Sequence, residues 1–277
     1  AIYIGLFLIS GKYWIYALKF NIPLIPHYLS LIVLGQSDRI MIKHYCGEGD
    51  AGVYSFAYQI SSAICVLNTA INGSRVPWTY EQLKNKTFSG LRKITDALVV
   101  MMAVVVLLVS LTSPEIIWIL GTSDYGKAVY VIPVVVLGVY FTFVYDLFAS
   151  VEFYYGATKY VMYASITGAL LNIVLNIIFI PMYGFVAAAY TTLACYLVFM
   201  LMHYLFSRKV LKQQNIKTNV YDNDVIFGVS AILGLLCVCC MMTFSCLYIR
   251  LFFITVLLGI CVMKKSYIKN LLLTMRK

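Results

Sequence analysis

Charged and amide side chains stand inside long apolar runs of this chain, where each is costly and so marks function or packing. His27, Leu31, Leu34 and Asp38 share one face of a predicted helix, because eleven residues make close to three turns. Arg39 lies about 100° away, on a face with Gln36 and Lys43. In a membrane such a helix offers two chemistries. Asp38 can take up a proton or hold a basic partner, and Arg39 with Lys43 can attract an anion along a water-filled path. The plain alternative is that Asp38 and Arg39, near the outer end of their helix, snorkel to the interface.

Three more polar stripes follow at helical spacing. Tyr54, Tyr58, Ser61, Cys65, Asn68 and Asn72 are separated by steps of 4, 3, 4, 3 and 4. Ser165, Gly168, Asn172 and Asn176 form a second stripe; Thr192, Tyr196 and His203 form a third. Interhelical hydrogen bonds account for any one stripe, at about 0.6 kcal/mol each. The three together imply a hydrophilic lumen. Asp146, one turn after Thr142, is the other candidate for ion coupling. Glu152 is expected to reach water, and His203 to be interfacial. Of the eight cysteines, six lie in apolar runs and read as small hydrophobes, and only Cys46 and Cys246 fall near predicted loops. Even Cys237-Val238-Cys239-Cys240 has no histidine or carboxylate close enough to complete a metal site. No G-x-S-x-G, Walker A, H-E-x-x-H or G-x-G-x-x-G occurs. The expectation is a non-enzyme with no cofactor, coupled if at all to protons or sodium.

The elements that position these groups must be membrane helices. Of 277 residues, 62% are hydrophobic and only 12% charged, against about 45–50% and about 25% in soluble domains. That balance excludes an ordinary cytosolic enzyme, a disordered chain and a secreted disulfide scaffold. The net charge of +10 reads as cytosolic loops facing anionic lipid, not as nucleic-acid binding. Residues 1–10 are apolar but too few to span, and they carry neither the basic start nor the cleavage site of a signal peptide. The reading expects a C-terminal part of a longer protein, cut within a helix. It divides the chain into the end of a preceding helix and a cytoplasmic linker (1–20), a transmembrane bundle (21–263) and a basic cytoplasmic tail (264–277).

Eight complete spans are predicted, at 21–43, 51–73, 94–117, 129–151, 160–180, 185–206, 225–246 and 248–263. Residues 225–263 as one helix would measure about 58 Å, twice a hydrocarbon core of about 30 Å, so they must form a hairpin. Arg250, near Ser245 and Tyr248, marks its turn. Pro23 and Pro26 either start the first complete helix or kink it. Seventeen of the 21 basic residues then fall on one side of the membrane and only Arg39, Lys43, Lys127 and Arg250 on the other. The positive-inside rule puts the larger set, with the C-terminus, in the cytoplasm. The polar loops 74–93 and 207–224 lie on that side.

Ile25-Pro26-His27-Tyr28-Leu29-Ser30, then the run from Gln36-Ser37-Asp38-Arg39 to Ile42, then the run from Ala51-Gly52-Val53-Tyr54 to Tyr58 resemble the polysaccharide, or O-antigen, flippases (Wzx-type). These belong to the multidrug/oligosaccharidyl-lipid/polysaccharide exporter superfamily. The resemblance implies an all-α integral membrane protein of two helical lobes around a cavity, of which this chain is the C-terminal lobe, in a bacterial inner membrane. It also implies alternating access that moves undecaprenyl-diphosphate-linked oligosaccharide outward, often with ion coupling, with cationic groups meeting the pyrophosphate. Asp38 and Arg39 are the matched positions. By extension Lys43, His27, Tyr58, Asn68, Asn172 and Asn176 would meet pyrophosphate or sugar, and Asp38 and Asp146 would couple to the ion. Partners would be the lipid-linked oligosaccharide, membrane lipids and polysaccharide assembly proteins. Three rivals stay open. A multidrug antiporter of the same superfamily should bury more acids at midspan. A membrane polysaccharide polymerase or glycosyltransferase should carry a long external loop. A structural subunit would not need aligned polar stripes.

Overall fold

The computed structural model describes residues 11–121, 123–216, 218–264 and 266. Among them every regular element is helical: α1 (Gly11–Asn21), α2 (Leu24–Cys46), α3 (Glu48–Asn85), α4 (Phe88–Leu111), α5 (Ser113–Leu120), α6 (Ile132–Tyr154), α7 (Thr158–Tyr183), α8 (Phe185–Gln213), α9 (Asn223–Met242) and α10 (Leu247–Met263). A 3-10 segment, Ser123–Tyr130, joins α5 to α6. The expected truncated helix at 1–10 and nearly all of the tail at 264–277 lie outside the described residues.

Among the described residues six helical segments are long and apolar enough to cross a membrane: Tyr13–Cys46, Phe88–Leu111, Ile132–Tyr154, Thr158–Tyr183, Phe185–Gln213 and Asn223–Met242. Eight spans were expected. The two that fall short do so for different reasons. The 38 residues of α3 extend about 57 Å, but its polar stripes dilute its apolar character. The 17 residues of α10 are apolar but short. Residues 11–20, read as linker, are helical and run into the first span. Pro23 sits at the N-cap of α2, where a missing N–H costs little. The prolines therefore mark a helix start, and the Ile25 amide still bonds the Ile22 carbonyl across the joint. The loops are also shorter than expected. α3 continues through 74–85 despite Pro77, and α8 continues to Gln213.

α6 is mostly apolar and buried along nearly its whole length, as befits a central helix. It packs against α8, α3 and α4, while α7 packs against α2 and α8. Two tight hairpins frame it. α2 turns into α3 through Gly47 (φ 92°), and α7 into α8 through Gly184 (φ 73°). A side chain at either position would be strained, so glycine permits a one-residue connection. Each hairpin lays residues about two turns before its glycine against residues about two turns after it. Asp38 thus meets Tyr54, and Asn176 meets Thr191. α9 and α10 are peripheral; Arg250 is the one buried residue of α10.

Candidate functional site

Asp38 lies at the meeting of the two hairpins, with 1% of its surface exposed. Its Oδ2 accepts from the Tyr54 hydroxyl at 2.6 Å and the Thr192 hydroxyl at 2.7 Å; its Oδ1 accepts from the Asn176 amide at 2.6 Å. A buried charge survives only with such compensation. A second layer orients the donors. Asn172 Nδ2 donates to Thr192 Oγ1 at 2.9 Å, Asn176 Nδ2 also reaches Asn172 Oδ1 at 3.2 Å, and Ser37 donates to Asn172 Oδ1 at 2.8 Å. Thr191 donates to Asn176 Oδ1 at 2.5 Å. One carboxylate therefore ties α2 and α3 to α7 and α8. The stripes that implied a lumen bond to each other across helix contacts here.

Arg39, one residue on, faces away from this network. Its guanidinium lies 4.6 Å from the centre of the Tyr58 ring, a cation–π distance. Nη1 donates to Gln36 at 3.3 Å, and Nε is buried without a partner. Beside it Lys43 Nζ pairs with Glu48 Oε1 at 2.8 Å, both well exposed. That hydrogen-bonded ammonium holds the Glu48 carboxyl below the usual carboxylate range. Arg39, Lys43, Glu48 and Ser55 line an open cleft of about 470 Å³. Two cations and a hydroxyl around a cleft can hold an anion such as a phosphate.

Asp146 of α6 belongs to a separate cluster. Asn72 donates to its Oδ2 at 2.9 Å, and Asn68 lies at 3.5 Å. Arg75, 1% exposed, donates from Nε to Asn72 Oδ1 at 2.9 Å and from Nη2 to the Asp146 carbonyl at 3.3 Å and Ser150 Oγ at 3.2 Å. Its Nη1 has no hydrogen-bond partner among the described residues. The sequence reading missed Arg75 by placing it in a loop. The signal was present, since Asn68, Asn72 and Arg75 continue the stripe of α3 at steps of 4 and 3.

Three expectations are overturned. Glu152 was expected in water and His203 at the interface; both are completely buried and pair at 3.0 Å. α6 and α8 pack against each other, and the faces that carry Glu152 and His203 are covered. Arg250 was expected in the turn; it lies inside α10 and pairs with Glu115 of α5 at 2.5 Å, and Thr243–Cys246 make the turn. His27 is buried and its Nδ1 lies 2.5 Å from Ser165 Oγ, about 16 Å along α2 from Asp38.

A chain whose described residues form only helices, six segments of them apolar and long enough to span, is a multi-pass membrane protein. Residues 2–82 match the family model described as polysaccharide biosynthesis protein. That stretch carries Asp38, Arg39, Lys43, Tyr54 and Tyr58. Two proteins of Haemophilus influenzae are similar to the chain. "Lsg locus putative protein 1" is 30% identical over 161 residues, which is 57% of this chain and 40% of that protein. A protein described as an uncharacterized membrane protein is 30% identical over 163 residues, which is 56% of this chain and 39% of that protein. The matched stretches cover about two fifths of those relatives' length. No solved structure matches significantly.

Proposed function

We propose that this chain is part of a transporter that carries undecaprenyl-diphosphate-linked oligosaccharide across a bacterial inner membrane by alternating access, without catalysing a covalent step. The observation that carries the reading is Arg39. A guanidinium with a buried, unpartnered Nε borders an open cationic cleft, and it lies within the stretch that matches the polysaccharide biosynthesis model. Arg39 and Lys43 attract the diphosphate, and the Tyr58 ring steadies Arg39. Asn172, Asn176 and Thr192, buried around Asp38, orient that carboxylate and leave the sugar to more exposed groups.

Asp38 is the ion-coupling group. Its charge ties one hairpin to the other, so a proton or sodium ion that neutralises it weakens three charge-assisted hydrogen bonds at once. Ion occupancy then biases how the hairpins sit, which is the differential interaction that a population shift requires. Asp146 acts as the partner that lets Arg75 stay buried. The side of the membrane rich in basic residues is cytoplasmic.

Surface polysaccharide tests the reading. In a strain whose capsule or O-antigen depends on the full-length protein, Arg39→Ala should abolish surface polysaccharide while protein level in the membrane stays normal. Retained polysaccharide would refute the assignment.

A further inference from the structure

Two concavities follow one line of α3. The cationic cleft reaches α3 at Gly52 and Ser55. One turn on, a groove of about 490 Å³ opens at Phe56 and continues past Ile60 and Ala63 to Leu67, with Val105 and Val109 of α4 as its far wall. Gly52, Phe56, Ile60, Ala63 and Leu67 are spaced 4, 4, 3 and 4, which puts them on one stripe of the helix. From Phe56 to Leu67 the groove extends about 17 Å along the axis. Gln59 is the one polar residue in its wall. An anion site and a hydrocarbon-lined channel therefore adjoin end to end, and their chemistry matches the two ends of one amphiphile.

We propose that the groove seats the polyprenyl chain of the transported lipid while its diphosphate occupies the Arg39–Lys43 cleft; this rests on the transport reading above. The α2–α3 turn lies on the side poor in basic residues, which is the outer one. The lipid therefore stands with its headgroup at the outer face and its chain toward the bilayer centre, as a lipid does after crossing. This is a release-side site. Glu48, already paired with Lys43 at 2.8 Å, competes with the diphosphate for that cation and keeps the site weak enough to empty.

The test uses the full-length protein in phosphatidylethanolamine–phosphatidylglycerol nanodiscs, with undecaprenyl phosphate and geranyl phosphate as probes at equal mole fraction in the bilayer. Binding is read by native mass spectrometry. The long-chain probe should be preferred by about tenfold. Ala63→Trp, which fills the groove from an exposed position, should reduce that preference to less than about twofold and leave geranyl phosphate unchanged. Leu235→Trp, on the exposed face of α9, should preserve the preference. A preference that survives Ala63→Trp, or that Leu235→Trp removes equally, overturns the groove. Arg39→Ala should weaken both probes alike. If instead it leaves both unchanged, the transport reading beneath the proposal fails, whatever the groove variants do.

Discussion

Asp38 and the Glu152–His203 pair show two ways of burying charge. Asp38 has three donors, so deleting one leaves two. Glu152 and His203 have one another at 3.0 Å, with Glu152 Oε2 and His203 Nε2 unpartnered. Breaking a buried pair from one side leaves the other member uncompensated. His203→Ala is expected to cost about 3–5 kcal/mol, whereas changing both residues to Leu should recover most of it. A double-mutant cycle on thermal unfolding in detergent measures this coupling; additive losses would show that the pair does not act as a unit. The sequence made Asp38 and Arg39 legible, because their types are rare within spans. It could not show that Asp38 would find Asn176 and Thr192, which lie 138 and 154 residues away. Glu152 and His203 were misread for a related reason. Water is the default neighbour near a span's end, and only the packing of α6 on α8 removes it.

At the scale of elements, helix type was legible and helix length was not. A proline at 77 and an arginine at 75 ordinarily announce a loop. The structure keeps both in α3, because Asn72, Ser150 and the Asp146 carbonyl take the Nε and Nη2 donors of the guanidinium and one lost N–H is tolerated within so long a helix. The hairpin of 225–263 was legible from length alone. What pins it was not. Arg250 joins α10 to Glu115 of α5 at 2.5 Å and also donates to the Thr243 and Phe244 carbonyls. Arg250→Glu should therefore loosen α10 and cost about 1.5–3 kcal/mol. Adding Glu115→Arg should restore part of that, since the carbonyl contacts stay lost. Thermal stability of the two variants checks it. No recovery on charge exchange would mean that the pair does not fasten α10.

At the largest scale the described residues centre on two glycine-hinged hairpins, α2–α3 and α7–α8, gathered around α6, with the Asp38 carboxylate bonded to both. The all-α membrane class followed from composition. Which helices would touch did not follow, because spans of similar apolarity are interchangeable until side chains interlock. That arrangement gives Arg39 its place at an open cleft beside a closed ionic network, and the account depends on it. The most direct test is transport by the full-length protein in proteoliposomes loaded with undecaprenyl-diphosphate-linked oligosaccharide. Exposure of the sugar at the opposite leaflet is scored with an impermeant glycosidase. The account predicts rapid exposure with the wild type, and protection close to that of empty vesicles with a folded Arg39→Ala variant. Equal exposure with the two proteins, or none with either, would contradict it.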